Sequence, residues 1–287
     1  MITALNIGIN GFLMGLVYAV MALGLSVVFG VTRIVNFAHG EMLILAALLA
    51  ITVYHHFHIH PLVLMPVLSI LMFVAGYLLQ HHCIAPLLKG PEHSQFIALT
   101  AIAMIVLSGQ LLIFGSDVQS VLTPSSLESF TWGPFLIDRI RVLTAAVALI
   151  TAALLFVFFY YTHTGKAIRA CAENRFAAKV IGLNDQRLYA ISFGIGSAVL
   201  AVSGCLFSLL MDITPQAGPH LTLLSFVIVI IGGLNQMAGP LAGGILLGIA
   251  EAYTAFYGQS SYKSFVSFSL LILILLIRPQ GLLSKRA

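Results

Sequence analysis

The sequence predicts an all-α membrane protein in which about nine helices cross the bilayer, with a range of about eight to ten. Of its 287 residues, 60% are apolar and only 8% are charged, and the mean hydropathy is +1.06. A soluble domain carries about a quarter charged residues, so a water-soluble fold is excluded. Nine spans of roughly 20 residues occupy about 180 positions, which leaves only loops. We therefore expect a single transmembrane domain over residues 1–287.

Apolar runs bounded by charges, proline or histidine clusters mark the helices in order along the chain. The runs cover residues 5–30, 40–54, 62–80, 95–115, 140–161, 188–210, 221–234, 240–256 and 264–278. The second, seventh and ninth runs are shorter than a full span, and Gly232, Gly233, Gly239 and Pro240 interrupt the seventh and eighth. Within the bilayer, backbone that is not helical is tolerated only where it is buried in protein or lines a cavity. Broken or re-entrant helices are therefore predicted there.

The basic residues predict how these helices are oriented. The loop 163–187 holds two acids and five bases, which are Lys166, Arg169, Arg175, Lys179 and Arg187. By the positive-inside rule this loop is cytoplasmic. Counting helices outward places the C-terminal tail and the loops around Arg33 and Lys89 inside as well, with the N-terminus and residues 116–138 outside. The net charge of +4 therefore reflects membrane orientation rather than nucleic-acid binding.

Small residues recur at helical spacing within the predicted helices. They include Gly11 and Gly15, then Gly194, Gly196, Ala198, Ala201 and Gly204, then Gly239, Gly243, Gly244 and Gly248. A spacing of four places small residues on one face, which lets helix backbones approach closely. A tightly packed bundle is therefore expected.

The segment 165–183, GKAIRACAENRFAAKVIGL, predicts a short amphipathic helix outside the bundle. One i, i+4 row is apolar and consists of Ile168, Ala172, Phe176 and Val180. On another row Arg169 and Glu173 have the spacing of a favourable ion pair. Composition alone also fits an interfacial helix that rests on anionic lipid.

Four blocks of the sequence resemble one family of transporters. The segment 165–183 is similar to the coupling segment of ABC-importer permeases, specifically of the high-affinity branched-chain amino acid family. Residues 15–50, which contain NFAHGE, resemble that family's first helix and following turn. Residues 231–253 and the RPQGL string at 278–282 resemble two later blocks in family order. The resemblance implies an inner-membrane permease that moves leucine, isoleucine and valine by alternating access, driven by ATP.

The resemblance also implies which residues carry function. Coupling to an ATPase subunit is expected at Gly165, Arg169, Ala170, Glu173, Ala177 and Gly182. A translocation or bundle motif is expected at Asn36, His39, Gly40, Glu41, Gly232, Gly233, Gly239 and Glu251. Ionisable groups within the membrane are costly, so the carboxylates of this motif, and Asp212, need a partner, a cavity or a position near the interface.

Partners are implied in the same way: a second related permease, two cytoplasmic ATP-binding subunits, an extracytoplasmic solute-binding protein and membrane lipid. The chain itself has no G-x-x-x-x-G-K-[ST] phosphate loop, because Ala167 follows Lys166. It also lacks G-x-S-x-G and H-E-x-x-H motifs. We therefore expect a transport subunit that is not an enzyme and needs no cofactor.

Three alternatives stay open at this point. A urea or short-chain amide permease of the same family would share these motifs, whereas an ion-coupled secondary transporter would need a series of intramembrane carboxylates. Histidines at positions 55, 56, 58, 60, 81 and 82 could bind a metal, although interfacial side chains are the simpler interpretation. Cys83, Cys171 and Cys205 lack CxxC spacing, so packing is expected and no metal site is predicted.

Overall fold

The computed structural model describes residues 2–33, 35–87, 92–121, 123, 129–132, 135–233, 236 and 238–283. The prediction of orientation partly depends on residues outside this range. They are Lys89, part of the segment 116–138 and the end of the C-terminal tail. Eight helices in the described residues are long and apolar enough to cross a membrane, and a ninth apolar helix, Lys263–Ile277, is shorter. The fold is therefore that of a multi-pass membrane protein.

Nine helices begin and end within three residues of the nine predicted apolar runs, and two further short helices, α6 and α7, lie between the fifth and sixth runs. In chain order the eleven are α1 Ile2–Thr32, α2 His39–Phe57, α3 Pro61–Leu78, α4 Glu92–Phe114, α5 Arg139–Tyr161, α6 His163–Glu173, α7 Arg175–Val180, α8 Asp185–Leu210, α9 Gly218–Gly232, α10 Gly239–Tyr257 and α11 Lys263–Ile277. Helix α3 continues into a π-helical turn, Leu79–Ile84. A short antiparallel hairpin that the sequence did not predict joins β1 Ser129–Trp132 to β2 Phe135–Asp138.

Helices α1 and α8 form the centre of the bundle, and glycines set how closely their neighbours approach. A Cβ on Gly15 would lie 2.7 Å from the carbonyl oxygen of Gly244 in α10. Similarly, a Cβ on Gly204 would lie 2.7 Å from the carbonyl oxygen of Leu43 in α2. The prediction of tight packing through small residues is confirmed.

Helix α2 does not begin where α1 ends. A ring nitrogen of His39, the first residue of α2, lies 3.1 Å from the carbonyl oxygen of Met21, in the middle of α1. The chain therefore turns back along α1 before α2 starts, at about the depth of that residue. Helix α2 itself runs unbroken over His39–Phe57, so the broken or re-entrant helix predicted at the second run is not seen, and the helix instead starts within the bundle.

The cysteines divide into two kinds. Cys171 and Cys205 are buried, as the packing interpretation requires, whereas Cys83 is exposed. Packing was therefore the wrong expectation for Cys83, because the π-helical turn Leu79–Ile84 presents this side chain at the surface.

Candidate functional site

The predicted coupling helix is two helices, α6 and α7, separated at Asn174. This residue has φ −146° and ψ 98°, and its side-chain oxygen accepts a 2.9 Å hydrogen bond from the N–H of Ala177. Asparagine is favoured at such N-cap positions because its side chain satisfies an otherwise free backbone donor. The expectation of one continuous helix is therefore wrong.

Because the helix breaks at Asn174, the apolar i, i+4 row that begins at Ile168 does not lie on one continuous face. Ile168 is fully buried against the bundle, whereas Phe176, Val180 and Ile181 are 78%, 71% and 73% exposed. The first half of the row anchors α6, and the second half points outward. The segment 165–183 thus has an attached side and a free apolar side.

Helix α6 is held to the end of α5 through two predicted coupling residues. A Cβ on Gly165 would overlap the carbonyl oxygen of Phe158, so only glycine fits there. Arg169 Nε donates a 3.0 Å hydrogen bond to the carbonyl oxygen of Phe159, and its guanidinium lies 4.3 Å from the ring centroid of Tyr160.

This geometry corrects the predicted pair of Arg169 with Glu173. Both residues are described, and no ion pair joins them. The carbonyls in the last turn of α5 lack helical partners, so they compete successfully for the guanidinium. Arg169 therefore links α6 to the membrane helix instead of stabilising α6 internally.

Helix α7 is held to the start of α8 by Asp185, a residue that the sequence analysis did not select. Its buried Oδ2 accepts hydrogen bonds from Arg175 at 2.7 and 2.8 Å and lies 3.2 Å from Lys179 Nζ. The hydrogen bond to Asp185 raises the pKa of Arg175. The sequence did show an acid directly after Asn184, the N-cap of α8. It could not show that this acid reaches Arg175 and Lys179, because that depends on the turn between α7 and α8.

The remaining coupling residues shape the outward surface. Gly182 has φ +86°, and its N–H donates to the carbonyl oxygen of Lys179 at 3.0 Å, which ends α7. A left-handed residue at this point favours glycine. Ala170, Glu173 and Ala177 are exposed, so two of the three side chains are short and leave the surface open to close contact.

Part of the second predicted group, the stretch from Asn36 to Glu41, lies where the N-termini of α2 and α9 meet, whereas its glycines at 232, 233 and 239 and Glu251 lie elsewhere in the bundle. Asn36 Oδ1 accepts a 3.1 Å hydrogen bond from Ala38 N–H and so shapes the turn before α2. Gly40 N–H donates to Thr222 Oγ1 at 2.7 Å. A Cβ on Gly40 would overlap the carbonyl oxygen of Gly218, the first residue of α9. We call this contact the α2–α9 junction.

Glu41 is buried at the α2–α9 junction, with 2% of its surface exposed. Its carboxylate lies so close to Gly218 that any side chain at position 218 would overlap it. Helix N-termini carry partial positive charge, so both helices stabilise a carboxylate there. Gln110 Nε2 of α4 donates to the backbone carbonyl of Glu41 at 2.7 Å, while Glu41 Oε2 has no hydrogen-bond partner among the described residues.

Glu251, the other buried carboxylate in the motif, has partners for both oxygens. Tyr18 in α1 donates to Oε2 at 2.9 Å, and Ser267 in α11 donates to Oε1 at 2.8 Å. The side chain therefore ties α10 to two neighbouring helices. Asp212, by contrast, is exposed beyond the end of α8.

The glycines after α9 form the second predicted break. Gly233 has φ 110°, and a Cβ on Gly232 would overlap the carbonyl oxygen of Gly239. Helix α9 therefore ends in a turn at Gly233, and its last residue lies directly against the first residue of α10. This geometry confirms the interruption predicted from the glycines, and glycine is the residue that such a turn requires.

The C-terminal RPQGL string contacts this turn. Leu282 N–H donates to the carbonyl oxygen of Ile231 at 2.9 Å, and Gly281, with φ +90°, lies against Gly233. Arg278 Nη1 closes the string by donating to the carbonyl oxygen of Leu282 at 3.1 Å. Two blocks that the sequence analysis treated separately therefore meet in space.

Histidines in the last turn of α2 and just before α3 bond to the backbone. Ring nitrogens of His55 and His56 lie 3.2 and 2.9 Å from the carbonyl oxygens of Ser120 and Thr52. The His60 ring accepts from Leu62 N–H at 3.3 Å, and burial lowers the pKa of His60. In the described ranges, no three His, Cys, Asp or Glu side chains are grouped for metal binding.

Comparison with known proteins decides the family. The family model described as "Branched-chain amino acid transport system / permease component" matches residues 7–275. The chain belongs to this family. The permease protein BraD of Pseudomonas aeruginosa is 30% identical over 96% of this chain and 94% of BraD, and LivH of Escherichia coli K12 is 29% identical over the same shares. Both are named as high-affinity branched-chain amino acid transport system permeases.

More distant comparisons agree with the fold. LivM of Escherichia coli K12 is 22% identical over 93% of this chain and 68% of LivM. The structure titled PsaBC from Streptococcus pneumoniae in complex with Fab has a TM-score of 0.51 at 10% identity, covering 94% of this chain and 91% of that one. At that identity the likeness shows the fold alone. The family resemblance of the sequence is confirmed, and the chain is a multi-pass inner-membrane permease homologue.

Proposed function

We propose that the chain is the membrane permease subunit of an ATP-driven importer for leucine, isoleucine and valine. The observation that carries the proposal is the free apolar side of segment 165–183, in a chain that belongs to the branched-chain amino acid permease family. The names of the relatives favour these amino acids over urea or short-chain amides. The whole chain, 1–287, would act as one transmembrane permease domain.

The free apolar side would be the docking surface for a cytoplasmic ATP-binding subunit. Exposed Phe176, Val180 and Ile181 form an apolar patch of the kind that marks an interaction site. The exposed alanines at 170 and 177 allow a partner to approach closely. Two such ATP-binding subunits, one for each permease of a pair, would supply the ATP hydrolysis for which this chain has no phosphate loop.

The contacts between segment 165–183 and the membrane helices could transmit a movement of the segment to the bundle. Arg169 ties α6 to the end of α5, and Asp185 ties α7 to the start of α8. A displacement of the segment would therefore act on two membrane helices at once. Alternating access requires that a partner bind two arrangements of the bundle with different affinity.

The α2–α9 junction is the proposed place where the bundle rearranges. Two helices that begin inside the bundle meet there through glycine backbones and a buried carboxylate. Helix ends that lie inside the bundle border the substrate site in many transporters. Glu41 would hold the two helix ends together in this arrangement, and Glu251 would brace α10 against α1 and α11.

The orientation follows from the same scheme. With segment 165–183 and the C-terminus in the cytoplasm and the N-terminus outside, ATP-binding subunits reach the segment. A solute-binding protein would then deliver the amino acid from outside. A second, related permease would complete the membrane pair, as the likeness to both LivH and LivM suggests.

Transport by the reconstituted complex tests the proposal. The complex in proteoliposomes, supplied with ATP and its binding protein, should take up labelled leucine, isoleucine and valine faster than labelled urea or acetamide. Uptake of urea or acetamide without leucine would assign the alternative substrate class. Leucine uptake that continued without ATP but followed an ion gradient would contradict the importer mechanism.

A further inference from the structure

A cavity of about 650 Å³ lies between the coupling segment and the membrane helices. One wall comes from the final third of α1 and the end of α5, with Val27, Val31 and Phe156. The opposite wall comes from α6, with Ile168 and Glu173. The volume is within the roughly 300–1,000 Å³ range of small-molecule sites. Anything that fills the cavity touches the coupling segment and the bundle together.

The cavity carries charges of both signs around an apolar wall. Arg33 and Arg169 line it, and so does Glu173, one helical turn after Arg169. Arg169 uses Nε for the Phe159 carbonyl, and a guanidinium has further N–H donors at its two terminal nitrogens. Ser26 and Gln236 add polar groups. This combination fits a small molecule that has one anionic end, one cationic end and an apolar body.

We propose that the cavity binds a free branched-chain amino acid from the cytoplasmic side. Arg33 and Arg169 would hold the carboxylate, Glu173 would hold the ammonium, and Val27 and Val31 would contact the branched side chain. The proposal rests on the proposed function for its orientation and its substrate class. A phosphate group, such as a lipid headgroup, would meet the arginines equally well but would be repelled by Glu173.

Occupancy of the cavity would link the cytoplasmic amino acid to the ATPase cycle. A ligand between α6 and α1 opposes movement of the coupling segment relative to the bundle. A ligand that favours one of two arrangements shifts the protein toward it, and the coupling is reciprocal. Bound leucine should therefore slow ATP hydrolysis by the assembled complex.

The test uses the assembled complex in phosphatidylcholine nanodiscs, without binding protein, titrated with labelled leucine. Arg33→Gln should weaken leucine binding about tenfold, as expected for loss of one charge-assisted hydrogen bond. Gly30→Leu should abolish it, because Gly30 lines the cavity, a Cβ there meets nothing within 4 Å, and the added side chain would occupy space that the ligand needs. Arg187→Gln is the matched control, since Arg187 is exposed in the same cytoplasmic region but does not line the cavity.

Two results would overturn the inference. The first is equal leucine binding by wild type, Arg33→Gln and a well-inserted Gly30→Leu. The second is loss of leucine binding when phosphatidylglycerol replaces part of the phosphatidylcholine, which would identify a lipid headgroup site. If the complex imports leucine normally but its leucine binding does not depend on Arg33, the cavity site is overturned and the proposed function stands. Arg33-dependent binding without import would overturn the proposed function alone.

Discussion

The coupling segment and the α2–α9 junction are built in opposite ways. The segment is tied down by polar side chains, Arg169 and Asp185, and leaves apolar side chains exposed. The junction is packed through Gly40 and Gly218 and buries a carboxylate. Polar ties at a surface can be lengthened or re-formed, whereas backbone contact through glycine tolerates no added atom. Substitutions should therefore impair function at the segment and stability at the junction.

The largest effect is expected at the junction. In Gly40→Ala the new Cβ overlaps the Gly218 carbonyl oxygen, so the helices must separate. Overpacking of this kind costs about 1–3 kcal/mol. The melting temperature of the purified protein in detergent should fall clearly. Gly109→Ala is the control, since a Cβ there meets nothing within 4 Å. Equal melting temperatures for the two variants would contradict this packing.

The brace at Glu251 should give the next effect. Tyr18→Phe removes one of two donors to a buried carboxylate, at a cost of about 1–3 kcal/mol. Tyr253→Phe removes a hydrogen bond to the neutral carbonyl oxygen of Ala4, so it should cost less. Thermal unfolding of both variants measures the difference. A larger loss in Tyr253→Phe would show that Glu251 does not depend on Tyr18.

The tie of α7 to α8 should affect coupling more than stability. Asp185→Asn removes the charge that holds Arg175 and Lys179, which are both half exposed, so the stability cost should be about 1 kcal/mol or less. Leucine uptake should still fall severalfold, because α7 is then less well positioned. Lys179→Gln should have a smaller effect, since Arg175 retains its contacts with Asp185. If Asp185→Asn and wild type took up leucine equally fast, the contact between α7 and α8 would not be needed for coupling.

The smallest effect is expected at the histidines. Replacement of His55, His56, His58 and His60 together by Asn should leave leucine uptake nearly unchanged. Asparagine can accept the bond from Leu62 N–H that the His60 ring accepts. Uptake that was lost and then restored by added zinc would support a metal site instead.

Much of the fold could be predicted because the bilayer fixes the length of each apolar run. Glycine spacing also predicted a tightly packed bundle, but only the structure shows that α1 and α10 are among the partners, as at Gly15 and Gly244. The break at Asn174 was missed because helical spacing counts apolar positions, while a local N-cap decides whether the helix continues. The Asp185 tie and the contact of the C-terminal string with α9 depend on tertiary position, which spacing does not encode.

Coupling through the exposed surface of segment 165–183 is the central claim, and one variant tests it most directly. Ala170 is exposed, so Ala170→Trp should insert normally but obstruct an ATP-binding subunit. Ala153→Trp, at an exposed position of α5 within the membrane, is the matched control. In the reconstituted complex, ATP hydrolysis stimulated by the leucine-loaded binding protein should fall about tenfold for Ala170→Trp, equivalent to about 1.4 kcal/mol of lost docking, and little for Ala153→Trp. Normal stimulated hydrolysis by a well-inserted Ala170→Trp would contradict docking at this surface.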